Sequence, residues 1–395
     1  MISRDCWQSH LNVISLAASV GRCASAVLLA FLATLGTTST VIADETVRIA
    51  TFNVSLFGKS EGDILRRLAD PRDSQAKKIA SIVQSVRPDV LLINELDYDP
   101  DGETANRLAT NFFARSQDGL DPIDYPYMLA FPSNTGIATG QDLNGNGKMD
   151  DPQDAFGYGL FPGQYGMAIF SRYPIQVKAV RTFQEYLWKD LPNALRPVHP
   201  VTGESYYSDE AWQQFRLSSK NHVDVPIDLI GQTLHVLASH PTPPVFDGDE
   251  DHNGCRNHDE IRFWIDYLSD REAKHLKDDR GIIGGLKTGQ AFVIMGDLNS
   301  DPVNGDSRQA AIRRLLAHPL VQDPEPRRGG LKIKQQHSND ERSVLTAKFG
   351  RVDYVLPSRN LQLEQSGVFW PYDPDSRVEA SDHRMVWIDV RSPDQ

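Results

Sequence analysis

The sequence predicts an α/β protein whose mixed β-sheets pack as a sandwich, and three observations carry that expectation. Short apolar runs alternate with segments of helical spacing in the first part of the chain, as strands and helices do in layered α/β folds. Further on, the runs come in pairs around turn residues, which reads as hairpins and excludes a pure βαβ array. From Asp44 to Gln395 there is no Pro/Ser-rich linker, repeat or low-complexity tract, so one elaborated domain is the simplest organisation.

The elements follow in order. Val47 to Asn53 alternates and reads as a strand ending on Asn53. Asp73 to Val86 has helical spacing (Ala76, Ile79, Ala80, Val83), with Pro88 just beyond, as expected past a helix end. Asp89 to Glu95 is a buried strand ending on Glu95, and Thr104 to Arg115 is a helix. Tyr127 to Phe131 and Gly166 to Phe170 are strands, separated by a Gly/Asn/Asp-rich loop insertion, 132–165. A turn at Ser171 to Ile175 leads into another strand, and an irregular aromatic-rich insertion covers 185–215. His222 to Ile230 and Thr233 to Ser239 form a hairpin around Gly231-Gln232, and the second strand runs into His240. A third loop insertion spans 241–258, then Asp259 to Leu268 is an amphipathic helix. Ala291 to Met295 is a strand, Arg308 to Ala317 a helix, and Val352 to Leu356, Val368 to Trp370 and Met385 to Val390 are the last strands.

The first 43 residues are expected to be a signal peptide and 44–395 the folded chain. Arg4 and Arg22 precede the apolar run Ala24 to Leu35, and Val41-Ile42-Ala43 suits a signal-peptidase cut before Asp44. The apolar run is short for a membrane span. The expectation is therefore export to a periplasmic or extracellular location, with no stable membrane insertion after cleavage; a lone N-terminal anchor is the alternative. Cys6 and Cys23 leave with the signal, so Cys255 is alone and no intrachain disulfide forms. The net charge is −12, from 41 basic and 53 acidic residues; Arg4, Arg22 and Asp5 contribute +1 within 1–43, leaving −13 for the rest. That disfavours tight, non-specific adhesion to polyanions. A monomer is expected.

Five strands end on polar side chains, Asn53, Glu95, His240, Asp297 with Asn299, and Asp382 with His383, and a sixth strand places Asp353 inside it. Taken singly, an Asp or Asn after a strand starts a turn. Together, carboxylates that hold a hard cation, amides that steer an oxygen and imidazoles that move a proton are what metal-assisted phosphoryl chemistry requires.

The order of these residues resembles that of the endonuclease/exonuclease/phosphatase superfamily, which includes deoxyribonuclease I, abasic-site endonucleases, neutral sphingomyelinases and inositol polyphosphate 5-phosphatases. The matching motifs are Thr51-Phe52-Asn53, Asn94-Glu95-Leu96, Ser239-His240-Pro241, Gly296-Asp297-Leu298-Asn299, Val352-Asp353-Tyr354 and Ser381-Asp382-His383, with Tyr165 to Ile175 resembling the central strand. Asn94 stands where that family usually has Gln, and Pro241 follows His240 where another residue is usual. The resemblance spans most of the chain and implies a four-layer α/β/β/α sandwich of two packed mixed β-sheets, deoxyribonuclease I-like. It implies an Mg²⁺- or Mn²⁺-dependent phosphoesterase acting on a nucleic acid or a small molecule, by in-line attack of water. It further implies that Glu95, Asn53 and Asp382 hold the metal and Asp297 orients or deprotonates the water. By the same resemblance Asn299 holds a phosphoryl oxygen, Asp353 fixes the tautomer of His383, and His240 stabilises the transition state.

Two stretches have calcium-loop spacing. Asp249, Asp251, Asn253 and Gly254 are followed by Glu260, and Asp142, Asn144, Asn146 and Asp150 form the first part of a second loop. Structural Ca²⁺ is the expectation for both, against plain acidic turns. Arg256 and Asn257 are candidate substrate-binding residues, against a role at a helix start. Tyr186, Trp188, Tyr206, Tyr207, Trp212 and Phe215 either stack on a base or lipid or pack their insertion onto the domain. A catalytically silent, calcium-dependent binding module of the same fold is the alternative to an enzyme.

Overall fold

A computed structural model of the protein describes residues 46–229, 231–269, 273–328, 344–370 and 376–391. The expected signal peptide, 1–43, lies outside the described residues.

Two sheets form. The first has six strands in the order β10 (Gln362–Phe369), β11 (Met385–Arg391), β1 (Val47–Leu56), β2 (Val90–Leu96), β4 (Met167–Ser171) and β3 (Tyr127–Phe131). The second has five, β5 (Arg181–Thr182), β6 (His222–Leu229), β7 (Gln232–Ser239), β8 (Ala291–Asp297) and β9 (Asp353–Pro357). Both are mixed: β1–β2 and β7–β8 are parallel, the other pairs antiparallel.

Period-two alternation builds the layers. Ile49, Val90, Leu92, Ile169 and Ile388 of the first sheet share one apolar cluster with Val225, Val236, Val293 and Val355 of the second, so the sheets pack face to face. The alternate residues Ala50, Phe52, Leu91, Ile93 and Trp387 turn outward against α1 (Asp63–Leu68), α2 (Ser74–Val86) and α3 (Glu103–Leu108). On the far side, Leu237, Phe292 and Ile294 meet α5 (His252–Tyr267) and α6 (Ala310–Leu316). The result is the expected four-layer α/β/β/α sandwich.

Four differences from the sequence reading have local causes. α1 was not anticipated, being only six residues long between Gly62 and Ala69. The helix expected over 104–115 changes at Ala109 to a wider five-residue turn. The strand expected after Ile175 shrinks to two residues, because 177–179 form a 3₁₀ turn. α5 starts at His252, seven residues before Asp259, because Asp247 accepts from the free N–H groups of Asn253 (2.8 Å) and Gly254 (3.3 Å).

The insertion aromatics pack rather than present themselves. Tyr186, Trp188, Tyr207, Trp212 and Phe215 are buried in one cluster with Phe263 and Trp264 of α5. Tyr206 stacks on His252 at 4.6 Å. The short α4 (Asp209–Gln214), capped by the Ser208 hydroxyl, belongs to this insertion.

Candidate active site

The polar strand ends meet where the two sheets adjoin. Register accounts for much of this: Asp297 of β8 lies directly across from Asp353 of β9, and Asn53 of β1 across from Asn94 of β2. Pairing in β1 is irregular after Asn53, a bulge that turns the strand end toward the site. Gly296 has φ 143°, and a Cβ there would lie 2.0 Å from the carbonyl oxygen of Ser239. Only glycine lets β8 approach β7 this closely, which sets Asp297 beside His240.

Asp297 is the hub. Its Oδ2 accepts a hydrogen bond from Asn53 Nδ2 at 3.0 Å and lies 3.5 Å from His240 Nε2 and 3.7 Å from His383 Nε2. Its Oδ1 accepts from the Asn299 backbone N–H at 2.9 Å. Asn53 Nδ2 also donates to Glu95 Oε1 at 3.0 Å, so one amide bridges two carboxylates. Asn53 Oδ1 is taken by the Ser55 N–H at 3.1 Å. Asn53, expected as a metal ligand, supports Glu95 and Asp297 with its amide hydrogens while its oxygen accepts one bond from the bulge. The Asn299 amide nitrogen donates to Pro241 O at 3.1 Å, which leaves its side-chain oxygen as the group facing away from that bond.

The two histidines are held differently. Asp353 Oδ2 meets His383 Nδ1 at 2.9 Å, and both residues are buried. Burial alone would drive the His383 imidazole neutral, but the charges of Asp353 and Asp297 and the Asp353 hydrogen bond outweigh it and raise its pKa to about 10. His240 has no acid at Nδ1, which is buried and unpartnered. Burial pushes His240 well below its ordinary value, and the charges of Lys220 and His383 act in the same direction. The two imidazoles are therefore biased in opposite directions, His383 toward the cation and His240 toward the neutral form. Asp297 is raised by burial, against the opposing charge of His383.

Glu95 is half-buried and raised by desolvation, opposed by the Asn53 hydrogen bond and by His383 and Lys220. Asp382 is exposed and accepts from Ser55 Oγ at 2.8 Å. Burial raises it somewhat, but His383 and the Ser55 hydrogen bond hold it below the usual carboxylate range. Four non-glycine residues here take left-handed backbone conformations: Ser55 (φ 47°), Glu95 (59°), Tyr165 (57°) and Asn299 (52°). Such conformations concentrate where function needs them.

A family model described as endonuclease/exonuclease/phosphatase matches residues 50–383. The chain belongs to the endonuclease/exonuclease/phosphatase family. Enzymes of this family hydrolyse phosphate esters and depend on divalent metals. A comparison with curated protein sequences gave no match. Among solved structures, the chain is similar to an endonuclease/exonuclease/phosphatase from Beutenbergia cavernae (16% identity, TM-score 0.49, 88% of this chain and 72% of that one). It is also similar to the human nocturnin catalytic domain with bound sulfate (13%, 0.44, 87% and 93%) and to sphingomyelinase C from Streptomyces griseocarneus (16%, 0.44, 87% and 99%).

The donor set fits the family's metal. Ligand atoms of Glu95, His240 and Asp297 lie within 4.8 Å of one another, as do those of Asp297, Asp353 and His383. Glu95 and the ionised Asp382 supply oxygens of the kind a small hard cation takes, with room for water and substrate. Asp382 belongs to neither compact group, and its Oδ1 is shared with Ser55.

Residues expected around this family site fare unequally. Arg256 and Asn257, expected as substrate-binding residues, are buried and turned to backbone carbonyls. Arg256 is buried and donates to the carbonyls of Leu217 and Arg216 at 2.9 and 3.0 Å and to that of Phe156 at 2.5 Å. Asn257 donates to Thr242 O and Leu298 O at 2.9 and 3.0 Å. The calcium loop expected over 249–260 is not formed. Asp251, Asn253 and Glu260 are carried onto or beside a helix, whose 1.5 Å rise separates Asp251 from Glu260 by about 13 Å along the axis. Asp249 is exposed, Asp251 pairs with Arg308 at 2.6 Å, and Glu260 is buried against Ser219 and Thr242. The loop at Asp142 does keep its turns: Asp142 accepts from the N–H groups of Asn146 and Gly147, Asn144 from Asn146, and Asn146 from Lys148. Asp150 is exposed.

Lys220 is the residue that sequence reasoning missed. It precedes β6, is buried, and has Glu260, Glu95 and Asp297 as its charged neighbours; burial lowers its pKa against their pull. The available signal was a polar run, Ser218-Ser219-Lys220-Asn221, abutting a strand antiparallel to the one that ends on His240. A separate hollow of about 1010 Å³, lined by Arg181, Asp224, His235 and Tyr267 among others, opens near the beginnings of β7 and β8 and contains none of these residues.

Proposed function

We propose that the protein is a divalent-metal-dependent phosphoesterase that hydrolyses a phosphodiester, or less readily a phosphomonoester, by in-line attack of water. The observation that carries this reading is Asp297, buried with the His240 and His383 imidazoles at 3.5 and 3.7 Å. A carboxylate and two imidazoles thereby converge on one point, as acid–base catalysis of phosphoryl transfer requires.

Asp297 orients the attacking water and takes its proton, anchored by Asn53 and the Asn299 N–H. Neutral His240 donates to a non-bridging oxygen, and Lys220 places a positive charge near the same group. His383, kept protonated by Asp353, supports the charge that develops at phosphorus and supplies a proton toward the leaving oxygen. Glu95 and Asp382 would hold Mg²⁺ or Mn²⁺, which supplies neutralisation of phosphoryl charge when bound. The wide net negative charge of the chain favours a compact substrate over long duplex DNA.

The test is release of p-nitrophenol from bis-p-nitrophenyl phosphate and from p-nitrophenyl phosphate by the chain lacking residues 1–43, with Mg²⁺, Mn²⁺ or EDTA. Metal-dependent release is expected, larger for the diester. No release with any divalent metal would refute the reading and favour the silent binding module.

Export through a cleaved signal is part of the proposal, supported by the basic residues and apolar run before Asp44. N-terminal sequencing of protein expressed in a secreting host should begin at Asp44. Structural Ca²⁺ is proposed for the Asp142, Asn144, Asn146 and Asp150 loop on its oxygen spacing. Adding Ca²⁺ to chelated protein should raise the melting temperature independently of Mg²⁺; an unchanged melting curve counts against it.

A further inference from the structure

His383 has an acid to orient it, whereas His240 has none: its Nδ1 is buried without a partner. Something else must fix the second imidazole. The residues on either side of it are held from one helix. Upstream, Trp264 Nε1 donates to Ser239 Oγ at 2.8 Å. Downstream, Thr242 is held at both ends: its N–H donates to Glu260 Oε2 at 2.7 Å, and its carbonyl accepts from Asn257 Nδ2 at 2.9 Å.

The same side chains reach the rest of the site. The second acceptor of Asn257 Nδ2 is Leu298 O at 3.0 Å, the residue between Asp297 and Asn299. The other oxygen of Glu260 accepts from Ser219 N at 2.6 Å and Ser219 Oγ at 3.0 Å, next to Lys220. Asn257, Glu260 and Trp264 are fully buried and spaced three and four apart, so they lie on one face of α5. No other use for them is evident: an amide, a carboxylate and an indole N–H are costly to bury unless each bond is needed.

We propose that the Asn257–Glu260–Trp264 face of α5 is a positioning clamp that takes the place of an orienting acid for His240 and sets its spacing to Asp297, Asn299 and Lys220. This deepens the phosphoesterase reading and rests on it for its kinetic arm. The clamp acts through the backbone, so it affects the geometry of the transition state more than the capture of substrate; a displacement of about 1 Å there costs on the order of 10²-fold.

The test is Asn257→Leu, which keeps the branched shape and removes both donated bonds, with Trp264→Phe as a second variant should the first not fold. Turnover of bis-p-nitrophenyl phosphate is measured in wild type, in each variant, and in the same variants combined with His240→Ala or with Asp353→Asn. The clamp predicts a fall in kcat of about 10²-fold with KM changed less than about threefold. It further predicts no additional loss in the His240→Ala background and a full additional loss in the Asp353→Asn background. Equal losses in both backgrounds would reduce α5 to ordinary structural support and overturn the proposal. The second measurement does not use activity: side-chain NMR of ¹⁵N-labelled histidine on the metal-free protein should show the His240 ring becoming mobile in Asn257→Leu while the His383 ring stays ordered. An unchanged His240 ring overturns the proposal even if wild type shows no turnover, an outcome that would by itself refute only the phosphoesterase reading.

Discussion

Replacing Asp353 by Asn removes a charge and leaves the shape. The carboxylate lies 2.9 Å from His383 Nδ1 in a buried pair, and its loss removes the largest influence that keeps the imidazole protonated. The rise from 6.5 to about 10 corresponds to on the order of 5 kcal/mol of preference for the cation. That preference is shared among Asp353, Asp297 and Asp382 and is already net of burial, which pulls the other way. Without Asp353 the burial cost is opposed mainly by Asp297, so the His383 pKa should fall. The amide also no longer selects one tautomer, since Asn can donate to Nδ1 as well as accept from it. Turnover should then fall by about 10²–10⁴-fold, the usual range for a lost acid or base. The assay pairs ¹⁵N-histidine NMR titration of chelated protein with kcat at pH 7.5 and saturating Mg²⁺. A His383 titration midpoint unchanged in Asp353→Asn, or turnover within threefold of wild type, would refute the reasoning.

Three further outcomes follow from the same geometry. Gly296→Ala, whose new Cβ would lie 2.0 Å from Ser239 O, should destabilise the fold by about 3 kcal/mol in urea denaturation; a loss below about 1 kcal/mol would mean that β7 and β8 can part without cost. Lys220→Met should lower kcat/KM by about 10²–10³-fold, the range for one lost charge-stabilising group, and wild-type kinetics in this variant would remove Lys220 from the site. Asp279 accepts bonds from Thr182 Oγ1, Gln184 N and Glu185 N, yet burial raises its pKa from 3.8 to about 6. Because the folded value is the higher one, its stabilising contribution is complete below about pH 4 and is lost as pH rises through 6. The stability of Asp279→Asn relative to wild type should therefore climb from about pH 4 through pH 6 and then level off, by on the order of 3 kcal/mol; a flat difference would contradict this.

The strand-end residues were legible in the sequence because their placement is local. A buried apolar run flanked by a polar side chain says where that side chain emerges; Asn53, Glu95 and Asp297 follow such runs and Asp353 opens one. Lys220 was not legible, because its burial depends on β6 pairing with β7 and on α5 covering both, contacts made far along the chain. Glu260 was misread for a related reason. Its spacing from Asp249 matches a calcium loop, and only the early start of α5, set by Asp247, turns the carboxylate inward. Gly254 satisfied that loop pattern too, yet its absent side chain serves the helix: a Cβ there would meet Asp251 Oδ1 at 1.8 Å. How the Asn53 amide is turned was not legible, since the bulge that gives its oxygen a backbone donor is a feature of pairing rather than of composition.

The left-handed residues around the site have a consequence for how this chain would change over time. Glu95 and Tyr165 have side chains with no natural comfort at positive φ, and each such residue costs on the order of 1–3 kcal/mol. A lineage released from the need for activity would gain stability simply by drifting to Gly or Asn at positions 95 and 165. Heat-resistant variants recovered from a library screened only for solubility should therefore be enriched in inactive ones, with Glu95 among the first positions to go.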